Sequence, residues 1–302
     1  MLKFDGVFDH GERATLVPIA RLEDLRLELE RFKEGQELNG FQKWIVRDLY
    51  KFDPPEGFPA RSVILVAVPH PFCSKVEFVR DGRTYRCFGL VMSDFARAEA
   101  SLKSALPAAS RVARAERLPL KRLAARSGLA RYGRNNVCYV EGMGSSLSFM
   151  AFFSDLPCEH GAWVELETAP ACSGCGRCVE SCPTGAIRRD VFLIDNERCL
   201  SALNETGRPF PEWLDKGAHH TVYDCLRCQE ACPMNAAQRE KLGDTIRFGE
   251  EESALLLAGA KSASWPPELA SKARYLGMDQ WPDAIAGNLR AIMEADAGRE
   301  PE

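Results

Sequence analysis

At 302 residues the chain is long for one core and suits two domains plus an appendage. Its 45% hydrophobic and 27% charged content is ordinary for a globular protein, and a net charge of −4 argues against wholesale coating of nucleic acid. No apolar run approaches the ~18 residues of a membrane span, and the opening MLKFDGVFDH lacks the basic, apolar and cleavage regions of an export signal, so a soluble, cytoplasmic protein is expected.

Residues 18–35 carry Leu22, Leu25, Leu29 and Phe32 on one side of a predicted amphipathic helix. A second helix is predicted from Leu38 to Tyr50, stopped by Asp53-Pro54-Pro55. The apolar run Ser62 to Val68 predicts a central strand buried on both faces. Asp81-Gly82 between Val76–Arg80 and Arg83–Cys87 is a hairpin signal. Ser93-Asp94 should cap a helix that Pro107 ends, and Pro119 should open a short helix closed by a left-handed Gly128. A polar loop from Arg131 to Asn136 follows. Strands are predicted at 137–140 and 148–153, joined by the turn Gly142-Met143-Gly144, with a further short one at 163–166. Helical segments at about 250–260, 267–276 and 280–296 read as a C-terminal cap. The expected division is 1–168, 169–237 and 238–302.

Charge is uneven. Between residues 111 and 134 stand Arg111, Arg114, Arg117, Lys121, Arg122, Arg126, Arg131 and Arg134 against the single acid Glu116. Such a strip either meets RNA phosphates or the polar rim of a large cofactor, or is a solvated helix face.

The densest chemistry lies between Cys172 and Cys232. Cys172, Cys175, Cys178 and Cys182 form C-x2-C-x2-C-x3-C before Pro183, while Cys225, Cys228 and Cys232 form C-x2-C-x3-C before Pro233, with Cys199 upstream. The first spacing is that of bacterial ferredoxins, in which the last cysteine of each motif ligates the other motif's cluster. Crossing the fourth ligands gives one 4Fe-4S cluster on Cys172, Cys175, Cys178 and Cys232. The second is then held by Cys199, Cys225, Cys228 and Cys182. Two zinc sites of four thiolates are the alternative, but zinc spacing rarely places three ligands in seven residues before Cys-Pro. Cys73, Cys87, Cys138 and Cys158 show no metal spacing and read as buried or free thiols.

The stretch Leu123-Ala-Ala-Arg-Ser-Gly-Leu-Ala-Arg-Tyr-Gly-Arg-Asn-Asn136 resembles a segment of the epoxyqueuosine reductases. Ser145, the strand to Asp155-Leu156-Pro157, CSGCGRCVESCPTGAI (172–187), Arg198-Cys199-Leu200 and CLRCQEACPMN (225–235) extend the resemblance. It implies an α+β protein: a nitroreductase-like α/β corrinoid-binding domain, then a bacterial-ferredoxin-like two-cluster domain and a short helical C-terminal segment. Reductive dehalogenases share that arrangement. It also implies cobalamin, base-off because no D-x-H-x-x-G signature is present, and a low-potential electron donor of ferredoxin or flavodoxin type. tRNA is the implied substrate carrier, met through the strip at 111–134.

Residue by residue, the resemblance points to Gly133, Arg134, Asn135, Asn136, Gly144 and Ser145 as cobalamin contacts. Glu116, Asp155 and Tyr132 are the candidate proton donors. The chain also departs from the pattern, since the position of the family's aspartate proton donor is Arg114 and the aromatic positions after the 144–145 turn are Ser146 and Leu147. A corrinoid-dependent reductase is therefore the leading expectation. A non-catalytic two-cluster electron-transfer protein and a protein that reduces or activates another enzyme's corrinoid are the alternatives.

Overall fold

The structure is a computed structural model and describes residue 4 and residues 7–35, 38–189 and 193–297. The strands run β1 (Arg13–Pro18), β2 (Ser62–Pro69), β3 (Ser74–Arg80), β4 (Arg83–Gly89), β5 (Val112–Arg114), β6 (Arg131–Tyr132), β7 (Cys138–Tyr139), β8 (Leu147–Ser154) and β9 (Ile246–Phe248). The longer helices are α1 (Arg21–Gly35), α2 (Gly40–Trp44), α3 (Phe95–Ala105), α4 (Leu120–Arg126), α5 (Arg177–Glu180), α6 (Leu200–Asn204), α7 (Arg227–Glu230), α8 (Glu250–Leu257), α9 (Pro267–Tyr275) and α10 (Pro282–Ala297). The chain divides into two units: residues 1–70 with 93–175, and residues 71–92 with 176–302.

The first unit is built on the antiparallel sheet β1-β2-β8-β5. Strand β2 is buried from Ser62 to Val68, as its unbroken apolar run predicts. Alternation sends Val63, Leu65 and Ala67 into a core with Leu22, Leu25, Leu123 and Ala124 from α1 and α4. Ile64, Val66 and Val68 face the other way and pack with Ala98 and Leu102 of α3 and Phe152 of β8. Both faces of the sheet are thus covered by helices. The Asp94 carboxylate accepts from the Arg97 amide at 2.9 Å and starts α3, while Gly128 at φ +75° donates to the Ala125 carbonyl and stops α4.

The hairpin β3–β4 turns on Asp81 (φ 52°) and Gly82 (φ 72°), the paired positive angles of a type I′ turn. Its third partner is β9, parallel to β3 with Val76 opposite Ile246. Val76 and Phe78 join Phe248, Leu256, Leu269, Leu276, Leu289 and Ile292 in the core of the second unit. The C-terminal helices are therefore half of that core, and the hairpin supplies its sheet.

Three local expectations change. The helix predicted for 38–50 is α2 followed by a π-helical turn, Ile45–Leu49, under an Asn39/Gln42 capping box. Residues 163–166 are extended but form no strand, because the Val164 amide is taken by the Arg126 carbonyl at 2.8 Å. Strand β7 ladders with β6 rather than β8, and the Gly142–Gly144 turn closes on a Val140 amide to Gly144 carbonyl bond of 2.9 Å.

Candidate metal centres

The two cysteine motifs fold alike. In each, a single helical turn opens two residues after a cysteine, α5 after Cys175 and Gly176 (φ 72°) and α7 after Cys225 and Leu226, with Cys178 and Cys228 as their second residues. Each turn ends in Cys-Pro, at Cys182-Pro183 and Cys232-Pro233, because proline cannot continue the hydrogen-bonded turn before it. Within the second unit α5 packs on α7, and the Ser181 hydroxyl lies 3.4 Å from the Cys178 carbonyl and 3.3 Å from that of Arg227, so one side chain ties the two motifs.

Cys199 occupies the N-cap of α6, and the nearby amides of Ser201 and Ala202 favour its thiolate. The Arg227 amide acts on Cys225 in the same way. Burial raises the Cys199 thiol, and it pushes that of Cys225 up to about 12. The neighbouring Cys182 adds to the rise of both, and Cys199 to that of Cys225. Cys182, Cys199 and Cys225 are thus near enough for one thiol to influence the next, as crossing the fourth ligands requires. Buried thiols that hold their protons alone become ligands once iron displaces those protons, and the three amides then stabilise thiolate. The residues fit a thiolate-bound cluster.

Cys172 and Cys175 lie in the first unit, Cys178 and Cys232 in the second. Cys172 ends the turn Pro170–Cys172, and the Arg134 amide donates to its sulfur at 3.4 Å. Among the described residues no three Cys, His, Asp or Glu side chains gather closely enough for a single ion.

The residues assigned to cobalamin cluster around β6 and β7. Gly133 and Asn136 close the hairpin through a Gly133 amide to Val137 carbonyl bond of 2.8 Å and an Asn136 amide to Gly133 carbonyl bond of 3.0 Å. Asn136 has φ +59°, a conformation asparagine tolerates. Asn135 is 4% exposed and turned inward, donating to the Tyr139 hydroxyl at 3.0 Å. A Cβ on Gly133 would meet Tyr139 Cε2 at 2.5 Å, so the backbone there admits only glycine. Gly144 (φ 57°) and buried Ser145 follow β7 directly. Next to them Ser146 buries a hydroxyl with no hydrogen-bond partner among the described residues, while its carbonyl accepts from His70 at 3.1 Å.

The proton-donor candidates are not brought together. Tyr132 is buried in β6, and burial pushes its phenol far up. Glu116 is exposed on a turn. Asp155 closes the sheet edge, its carboxylate accepting from the Arg111 amide at 3.0 Å. Arg114, at the family's aspartate position, lies 3.2 Å from Glu99, with its guanidinium over the rings of Phe95 and Phe152 at 5.4 and 5.1 Å. The basic strip is divided: Arg114 pairs with Glu99, and both Arg122 and Arg126 pair with Glu28, while Arg111, Arg117, Lys121 and Arg131 are exposed.

Sequence reading missed a half-buried carboxylate pair beside Cys225. The Ser201 hydroxyl donates to Asp224 at 2.6 Å and reaches Glu205 at 3.4 Å. Burial, then the Asp224 charge, raises Glu205 to about 7. It also missed Thr184, whose hydroxyl stands 3.6 Å from Cys182 Sγ. Neither shows a spacing signal, since their partners are brought up by the fold.

Residues 171–235 match the family described as "4Fe-4S double cluster binding domain". The chain is 29% identical over 191 residues to the epoxyqueuosine reductase of Burkholderia pseudomallei, an alignment spanning 60% of this chain and 46% of that protein. It is 33% identical over 103 residues to that of Lactococcus garvieae, spanning 34% of this chain and 28% of the relative. The chain thus spans about half or less of the curated relatives it matches. Among solved structures, that of an epoxyqueuosine reductase with an epoxyqueuosine-modified tRNA-Tyr stem loop aligns with a TM-score of 0.63 at 19% identity, covering 96% of this chain and 79% of that one. The Bacillus subtilis epoxyqueuosine reductase aligns with a TM-score of 0.60 at 19% identity, covering 94% of this chain and 77% of that one. Among the described residues no helix is long and apolar enough to cross a membrane. The chain therefore carries a module for two 4Fe-4S clusters and is similar, at low identity, in sequence and in its mixed α and β fold to epoxyqueuosine reductases.

Proposed function

We propose that the chain is an iron–sulfur and cobalamin-dependent reductase that passes electrons through two clusters to an electrophilic substrate, epoxyqueuosine in tRNA or a compound related to it. The observation that carries this reading is the packing of α5 on α7, with Ser181 tying the two cysteine motifs together within the stretch that matches a double-cluster domain. Crossed ligands hold two clusters close enough to exchange single electrons. Cys228 completes one set, and Cys172, Cys175, Cys178 and Cys232 make the other. The functional division follows the sequence, with cofactor chemistry in 1–168, the clusters in 169–237 and support from 238–302.

Cobalamin, when bound base-off, supplies a strongly reducing nucleophilic centre. The groups in reach of such a role are the Arg134 side chain and the turn Gly144 to Ser146, since the amides of Gly133, Arg134 and Asn136 already donate within the protein. The unpartnered Ser146 hydroxyl suits one of the cofactor's amides. The Asn135 side chain holds the loop itself. Of the proton-donor candidates, Glu116 is the exposed one, whereas Tyr132 and Asp155 are held by burial and by the sheet edge. Exposed Arg117 and Arg131 are the strip's free-standing cations for RNA phosphates. A low-potential ferredoxin or flavodoxin in the cytoplasm is the fitting electron source.

Anaerobic reconstitution with iron, sulfide and cobalamin tests the reading. About eight irons per chain, a base-off cob(II)alamin EPR signal and conversion of epoxyqueuosine to queuosine in tRNA are expected; failure to retain cobalamin overturns it. A second reading, a protein that reduces another enzyme's corrinoid, is favoured by one observation: Arg114 is locked onto Glu99 where the family has its acid. It predicts cobalamin retention without conversion of the tRNA base.

A further inference from the structure

Trp213 leaves 47% of its surface in solvent, although the residues on either side of it are anchored. Phe210 and Leu214 pack with Leu200 of α6, and the Leu214 amide closes a turn on the Pro211 carbonyl at 3.0 Å. The indole is held outside that cluster and lies under the guanidinium of Arg198, 4.3 Å from the ring centroid. Arg198 in turn donates from Nε to the Thr184 carbonyl at 3.0 Å. Thr184 is buried, and its hydroxyl stands 3.6 Å from Cys182 Sγ.

The two turns that meet here are joined by more than this contact. The Asp195 amide donates to the Ala186 carbonyl at 2.9 Å, and the Arg198 amide closes the 195–198 turn on the Asp195 carbonyl at 3.2 Å. A continuous line of contacts therefore runs from an exposed indole, through a stacked guanidinium and a pinned carbonyl, to the sulfur that crosses between the motifs. A flat guanidinium is needed for this, because it stacks on a ring and donates in its own plane, which an ammonium does not do.

We propose that Arg198 and Trp213 clamp Thr184 so that its hydroxyl donates to the Cys182 thiolate, raising the reduction potential of the cluster that Cys182 ligates. A hydrogen bond to a ligating sulfur withdraws charge from it and favours the reduced, more negative cluster. Thr184 touches the ligand; Arg198 and Trp213 are positioning residues that act through it. The inference rests on the two-cluster reading.

The test is an EPR-monitored redox titration of the full reconstituted chain, with iron content measured for each variant. Thr184→Val and Trp213→Leu are each expected to shift the midpoint of one cluster to a more negative potential and to leave the other cluster in place. Thr184→Ser, which keeps the hydroxyl, restores the wild-type midpoint, and Arg198→Lys, which keeps the charge, behaves like Trp213→Leu. The double variant Thr184→Val/Trp213→Leu matches Thr184→Val alone. Unchanged midpoints in fully loaded variants, or additive shifts in the double variant, overturn the clamp while leaving the clusters standing. Wild-type protein without bound iron or a reduced-cluster signal overturns the cluster reading and the clamp with it.

Discussion

Replacing Glu28 by glutamine should destabilise the first unit, and the structure sets the scale. The Glu28 side chain is 16% exposed and receives Arg126 Nε at 2.9 Å on one oxygen, while Arg122 Nε lies 3.2 Å from the other as an ion pair. Those side chains come from α1 and α4, so the carboxylate ties together the two helices that cover one face of the sheet. Glutamine keeps the shape but takes the counter-charge from Arg122 and leaves Arg126 with Glu165 alone. Breaking a buried pair from one side costs about 3–5 kcal/mol. Arg126 retains the Val164 carbonyl at 2.8 Å and Glu165 at 3.2 Å, so roughly 2–3 kcal/mol is expected here.

The same clamp carries a pH signature. Burial works to raise the Glu28 carboxyl, but its contacts with Arg126 and Arg122 hold it below the ordinary carboxylate value of 4.5. The unfolded chain therefore takes up this proton first as pH falls. The clamp's contribution is whole above the unfolded value and is lost as pH drops through the folded one. Urea unfolding of the first unit, followed by tryptophan fluorescence at neutral pH and again near pH 4, measures both effects. A loss under about 0.5 kcal/mol in Glu28→Gln at neutral pH, the size of an ordinary surface substitution, would refute the reasoning.

Cys182→Ser should lower bound iron from about eight to about four per chain, whereas Cys158→Ser, outside the motifs, should leave it unchanged; iron assay decides. Gly133→Ala drives a methyl group to 2.5 Å from Tyr139 and should destabilise the hairpin by about 1–3 kcal/mol, visible as a lowered melting temperature. Burial lowers His220 to about 4 from 6.5, so the unfolded state protonates first and stability should fall between those pH values by up to about 3 kcal/mol; His220→Gln should flatten that part of the unfolding profile.

The elements most legible in the sequence are those whose signal is local. The apolar run of β2, the Asp81-Gly82 turn, the Asp94 cap and the Gly128 stop each depend on residues within a few positions, and each stands in the fold. Cysteine spacing and the 123–136 block likewise pointed to the cluster module and the fold. What escaped was non-local. Three-residue β9 is too short for a pattern and is recruited by β3 from 170 residues away in sequence. The strip at 111–134 looks like a single cationic face, but Glu28 and Glu99, from other helices, take up Arg114, Arg122 and Arg126. The Arg198–Trp213 stack joins residues from two loops and is invisible to periodicity or motif.

The chain passes between its two units at residues 70, 92 and 175. No single cut can release either unit intact. A fragment ending at residue 175 would carry β3 and β4 with Val76 and Phe78 stripped of Phe248, Leu256 and Leu289, and the remainder would lack its sheet. During synthesis the hairpin emerges about 150 residues before the strand that completes it. It must wait, with an apolar face uncovered, until the last fifth of the chain arrives. Nascent-chain handling, rather than the stability of the finished protein, is where that arrangement makes its demand.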